Sequence, residues 1–212
     1  MIELYKPNLE TLKTTEASFT QVLETRKSIR EYGDAIAAQQ LGEFLYRCAR
    51  VKHYAQTEYG EFAHRPYPSG GALYELELYP IVNRCEGIAK GLYHYQPLVH
   101  QLCRIADRTE TIEALLDDAR RSMGQQEPPQ VLIIIAARFQ RLAWKYELIA
   151  YALMLKHVGV LYQTMYLVAT AMKLAPCGLG SGNSDLFAKA AGCNYYAETS
   201  IGEFALGTQP ST

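Results

Sequence analysis

Between Trp144 and Gly182 the chain reads WKYELIAYALMLKHVGVLYQTMYLVATAMKLAPCGLGSG, a helical pattern with no proline before Pro176, then three glycines in seven residues. Val158, Leu161, Tyr162, Met165, Tyr166, Ala169 and Met172 recur at three- and four-residue steps, the spacing of a buried helix face. Leu148 to Leu155 is apolar on every side, so the pattern predicts protein packed all round that part. One unbroken helix from Trp144 to Ala175 would span roughly 48 Å, more than a single core of this size needs to cover it. A second copy of the chain is the economical partner for the excess. Lys156, Gln163 and Thr170, seven residues apart, draw a polar stripe with Lys145 near the same line. In Pro176 to Gly182 the glycines read as a turn where backbone can approach a flat or anionic group, or simply as a flexible reversal.

The 212 residues, 49% of them hydrophobic, are enough for one sizeable core and show no internal domain boundary, so one domain over 1–212 is expected. A net charge of −1 and no long basic run argue against a nucleic-acid binder. Five cysteines without a C-x-x-C pair read as reduced thiols, and the five histidines lack metal-ligand spacing. No signal peptide and no bilayer-length apolar run is visible, so a cytoplasmic protein without a metal site is expected.

Ser18 and Gln21 form a capping-box pattern for a short helix that delivers Arg26, Lys27, Ser28, Ile29 and Arg30. Three cations and a hydroxyl can clamp a phosphate, or form a solvated charge run. Leu41, Phe44, Leu45, Cys48 and Ala49 mark a buried helix face. Residues 53 to 67 show no periodicity. Pro68, Ser69, Gly70 and Gly71 then offer a stiff turn with a hydroxyl and exposed amides. Leu73 to Asn83 reads as a strand, and 91–95 with 100–105 as a strand pair. Asp107 with Glu110 reads as a cap for a helix closing at Arg120 and Arg121. Val131 to Ile135 is a strand buried on both faces, Asn183 or Ser184 caps a short helix, and Ile201 to Leu206 closes the sheet. Helices and strands without strict alternation predict an α+β fold around an antiparallel-rich sheet.

In order, R-K-S-x-R at 26–30, P-S-G-G-A-L-Y at 68–74, G-L-Y-x-Y at 91–95, P-C-G-L-G-S-G at 176–182 and E-F-A-L-G at 203–207 resemble the nitroreductase-like flavoproteins. Within them the chain is similar to the branch of streptolysin-type dehydrogenases and azoline oxidases. The resemblance runs from about Val22 to Gly207. It implies a homodimer binding FMN between subunits. Arg26, Lys27, Ser28 and Arg30 would hold phosphate and ribityl chain. Pro68, Ser69, Gly70 and Gly71 would line the ring, often from the partner subunit, and Cys177, Gly178 and Leu179 would present a backbone N–H to flavin N5. The family often adds basic residues after the last strand; here Thr212 follows closely, which shifts the expected phosphate load onto Arg26, Lys27 and Arg30. The resemblance does not extend to the extra N-terminal peptide-binding module of some azoline oxidases, so a chain without it is expected.

The Lys145-Tyr146 dipeptide matches a Lys-Tyr pair of azoline oxidases. Aromatising a thiazoline or oxazoline removes a hydride and a proton from adjacent ring carbons. A lysine amine can take the proton if desolvation or a nearby cation favours its neutral form, and a tyrosine can relay it or orient the ring. The resemblance therefore implies an FMN-dependent azoline oxidase acting on a ribosomal or nonribosomal peptide, presented by a carrier protein, cyclodehydratase or synthetase. An NAD(P)H-dependent nitro- or quinone reductase, or a flavin-binding scaffold in a biosynthetic complex, are the alternatives.

Overall fold

The computed structural model describes residues 1–58 and 60–210. Tyr59, in the aperiodic stretch, and Ser211 and Thr212, at the end of the expected domain, lie outside the described residues. In chain order the elements are β1 (Ile2–Glu3), α1 (Leu9–Thr15), α2 (Phe19–Thr25), β2 (Ile36–Ala37), α3 (Ala38–Ala49), β3 (His53–Thr57), β4 (Gly60–His64), β5 (Leu76–Val82), β6 (Cys85–Glu86), β7 (Gly91–Gln96) and β8 (Gln101–Ala106). There follow α4 (Glu110–Met123), β9 (Val131–Arg138), α5 (Phe139–Tyr146), α6 (Ala150–Ala171), β10 (Leu174–Leu179), α7 (Ser184–Ala191) and β11 (Glu198–Thr208).

Among the described residues seven strands pair antiparallel in the order β1-β8-β7-β5-β9-β11-β10. The two-residue period of the strands sorts their side chains into two cores. Ile133, Ile135, Leu76 and Leu78 pack with Phe44 and Leu45 of α3 and with Leu161 and Met165 of α6. Leu132, Ile134 and Tyr79 pack on the opposite face, with Leu115 and Leu116 of α4 and Phe187 of α7. The central β9 is apolar and buried from Val131 to Ala137, with helices covering both faces, and ends on exposed Arg138. Phe204 of β11 stacks near Phe44 and meets Tyr162 and Tyr166 of α6, with ring centroids 5.2–6.3 Å away.

Several expectations hold in detail. Ser18 Oγ accepts from the Gln21 amide at the start of α2. Asn183 Oδ1 accepts from Leu186 N at α7, which ends on left-handed Gly192. The face predicted for α3 is buried. Others need correction. The cap of α4 is Thr109, whose hydroxyl accepts from Ile112 N, while Asp107 pairs with Arg104. The aperiodic stretch contains the hairpin β3–β4.

The long helix is also not continuous. It breaks at Glu147, which adopts φ 44°, ψ −120°, and one 3-10 turn (Glu147–Ile149) separates α5 from the 22-residue α6. No proline or glycine causes this. The break coincides with Lys145 and Tyr146 being turned onto Gly70 and Gly71. The glycine-rich turn starts later than expected as well. Leu174 to Leu179 pairs residue by residue with β11, from Leu174 opposite Thr208 to Leu179 opposite Glu203. Strand pairing outweighs the local glycine preference there, and the reversal begins at Gly180.

Candidate functional site

The residues singled out above fall into two clusters on α6. The first gathers α2's exit and β10. Ile29 N donates to Pro176 O at 2.9 Å, which lays the cationic segment along the sheet edge. Ser28 Oγ and Tyr166 Oη lie 2.7 Å apart, and Gly178 N donates to the same Tyr166 oxygen at 2.7 Å. One of the three amides expected to face the flavin is therefore already engaged. The Arg26 guanidinium sits 5.2 Å from the Tyr166 ring centre. Burial pushes the Cys177 thiol up, against the pull of Arg30 and Ser28.

Among the described residues, Arg26, Lys27 and Arg30 pair with no carboxylate. Lys27, Ser28 and Arg30 line an open cleft of about 520 Å³ with Gln125, Gln209 and one carboxylate, Glu31. Unneutralised cations beside a hydroxyl and two amide side chains suit a phosphate ester. That donor set fits the phosphate end of FMN, with Gln209 contributed from just after the last strand.

The second cluster surrounds the P-S-G-G turn. A Cβ built on Gly71, at φ 61°, would lie 2.9 Å from Lys145 Nζ and 3.2 Å from Tyr146 Oη. One built on Gly70 would lie 3.4 Å from both Tyr146 Oη and His157 Nε2. The Lys-Tyr pair and the double glycine, 74 positions apart, thus share one site. Backbone strain concentrates here: Ala72 (φ 55°), Tyr74 (φ 47°) and Glu147 (φ 44°) are left-handed without being glycine. Each such residue costs of order 1–3 kcal/mol and persists only when its surroundings hold it.

The turn's polar groups are less free than the sequence suggests. Gly70 N donates to His157 Nε2 (2.9 Å), Ser69 Oγ donates to Glu75 Oε2 (3.2 Å), and Tyr74 N donates to Ser69 Oγ (3.1 Å). Arg141 Nε donates to Leu73 O and ties the far end of the turn to α5. His157 and Tyr166 lie nine residues apart on α6, so roughly 13 Å of helix separates the two clusters.

Leu179 departs from its expected neighbours. It lines a separate cavity of about 300 Å³ with Tyr162, Gly180, Ser181, Gly182, Ser200 and Glu203. Glu203 is 2% exposed, and its Oε1 lacks a hydrogen-bond partner among the described residues. Its carboxyl occupies the space a Gly182 side chain would need. Burial pushes this acid up to about 7, although the Asn183 amide opposes the shift.

The unfolded chain ionises nearer pH 4.5, so Glu203 lowers stability progressively as pH rises from there through about 7. The full penalty is roughly 3 kcal/mol. Glu203→Gln is expected to gain on the wild type by that order between pH 5 and pH 8 in denaturant titrations. An equal difference at both pH values would show that Glu203 ionises normally.

The profile of the nitroreductase family matches residues 23–207. The chain belongs to the nitroreductase family. Relatives of this nitroreductase-family chain include the Methanocaldococcus jannaschii protein MJ1384, itself named only provisionally as a nitroreductase. The two are 29% identical over 181 residues, covering 85% of this chain and 84% of that protein. The microcin B17-processing protein McbC of Escherichia coli is 32% identical over 117 residues, which are 52% of this chain and 42% of McbC. The chain thus matches less than half the length of McbC. A chain in the structure of the E. coli microcin synthetase McbBCD complex with truncated pro-MccB17 shares the fold. Its TM-score is 0.70 at 19% identity, over 100% of this chain and 85% of that one.

Sequence reasoning missed Glu75, His157, Tyr166 and Glu203. The signal for Glu75 was available: a strand neighbouring one buried on both faces must bury its own glutamates, and a buried carboxylate needs donors. His157 stands on the same helix face as Leu161, the pattern of a histidine facing the core.

Proposed function

We propose that this nitroreductase-family oxidoreductase is an FMN-dependent azoline dehydrogenase that converts thiazoline or oxazoline rings of a peptide natural product into azoles. The observation that carries this reading is the placing of Lys145 and Tyr146 against Gly70 and Gly71. A simple nicotinamide-oxidising reductase needs no such base. The likeness to McbC, a processing protein of microcin B17, supports a peptide substrate delivered with synthetase partners.

Arg26, Lys27, Ser28 and Arg30 would hold the FMN phosphate, Cys177 and Gly178 would flank the ring from one chain, and Pro68 to Gly71 would cover it from a second copy. When bound, FMN supplies the acceptor for the ring hydride. Lys145 takes the proton from the adjacent ring carbon, and Tyr146 orients the ring or relays that proton. Lys145 is exposed on the single chain. A partner laid over Trp144 to Leu155, where Leu148 is 100% and Trp144 63% exposed, supplies the desolvation that a lysine base needs. Among the described residues no helix is long and apolar enough to cross a membrane.

The reading is tested by incubating the FMN-loaded protein with a thiazoline peptide in air. Loss of two hydrogens by mass spectrometry is expected, and unchanged substrate alongside rapid NADPH oxidation would favour the reductase. Arg26→Ala is expected to weaken FMN binding by about 1.5–3 kcal/mol, the worth of a charge-assisted hydrogen bond. Full flavin retention after dialysis would place the phosphate elsewhere.

A further inference from the structure

The turn carrying Gly70 and Gly71 is fixed through a chain of hydrogen bonds whose every donor can be assigned. A backbone N–H can only donate, so the Gly70 amide requires a lone pair on His157 Nε2. The imidazole proton therefore sits on Nδ1, which donates to Glu75 Oε1 at 2.6 Å. The other carboxylate oxygen accepts from Ser69 Oγ, whose own lone pair accepts from Tyr74 N. Glu75 is fully buried, and these bonds engage both of its carboxyl oxygens. The neutral histidine is locked in one tautomer and holds the turn against α6.

Just before α6 the chain passes through the 3-10 turn and the strained Glu147, which join it to Lys145 and Tyr146 at the end of α5. α6 thereby bears on both walls of the site, on the turn through His157 and on the Lys-Tyr pair through the short connection to α5. We infer that Glu75 and His157 form a positioning pair for the proposed base, fixing the distance between the Gly70–Gly71 turn and Lys145. The inference rests on the reading of Lys145 as the proton acceptor. Neither Glu75 nor His157 touches substrate. Their effect runs through the turn, and misplacing a reacting group by about 1 Å can cost a hundredfold in rate.

His157→Phe keeps a ring of similar size and deletes both bonds. In the FMN-loaded enzyme it is expected to lower kcat for thiazoline oxidation by roughly 10–100-fold. KM and FMN affinity should stay within about threefold, while amide exchange across residues 66–74 quickens. Glu75→Gln retains an oxygen for the Nδ1 proton and should recover most of the rate, whereas Glu75→Leu should not. If the phenylalanine variant does not fold, His157→Asn, too short to reach Gly70, should show the same loss of kcat. Faster exchange with wild-type kcat would reduce the pair to a structural role and overturn the inference. Loss of FMN in step with activity would overturn it too, by assigning the pair to the cofactor. A wild-type enzyme that leaves thiazolines untouched sinks the parent reading and this one together. An active wild type with an equally active His157→Phe sinks the positioning role alone.

Discussion

Lys145→Ala is expected to keep the bound FMN and yet lower azole formation by roughly 10²–10⁴-fold, the usual contribution of a positioned base. The phosphate cluster lies elsewhere on α6, so the substitution removes no cation from it. Lys145 Nζ lies beside Gly71 and 5.7 Å from the Tyr146 ring centre, and its long side chain is free to reach a ring seated on the turn. Tyr146→Phe preserves the ring and deletes the hydroxyl. A moderate loss fits orientation, and a loss as large as that of Lys145→Ala fits a shared relay. Flavin reduction by an artificial hydride donor should be nearly unchanged in both, because that step needs no base. Wild-type turnover in Lys145→Ala would make the pair structural.

The second large effect concerns the exposed apolar segment where α5 passes into α6. Leu148, Ile149, Tyr151 and Trp144 are each more than half exposed on one chain, an unusual concentration of apolar surface. Replacing Leu148 and Tyr151 with aspartate removes two contacts worth about 1.5–3 kcal/mol each if buried between copies. The dimer dissociation constant should rise by about three orders of magnitude. The variant is expected to elute as a colourless monomer, because the two halves of the flavin site then no longer meet. A variant that stays dimeric and yellow would place the interface elsewhere, and a wild-type monomer that retains FMN would end the two-chain account.

Much of this was legible where a single period decides the outcome. The α3 face, the doubly buried β9, the strand pair β7–β8 and the caps of α2 and α7 all follow from spacing and local capping. What escaped depends on tertiary contacts. Nothing in K-Y-E-L-I marks a break, and Glu147 takes up its strained conformation where two distant glycines meet Lys145 and Tyr146. Gly178 of β10 reads as part of a loop until β11 is there to pair with it. Asp107 and Thr109 are equally plausible caps by sequence, and only geometry favours the threonine. For the site, the cationic segment and the P-S-G-G turn were visible as motifs. Their partners Tyr166 and His157 were not, because aromatic and histidine residues on a buried helix face read first as core.

The most direct test is anaerobic mixing of the FMN-loaded protein with a thiazoline-containing peptide and, separately, with NADPH, while flavin absorbance is followed. The account predicts rapid bleaching by the thiazoline peptide in the wild type, strong slowing of that bleaching in Lys145→Ala, and only slow bleaching by NADPH. Rapid bleaching by NADPH with none by the thiazoline peptide would contradict it.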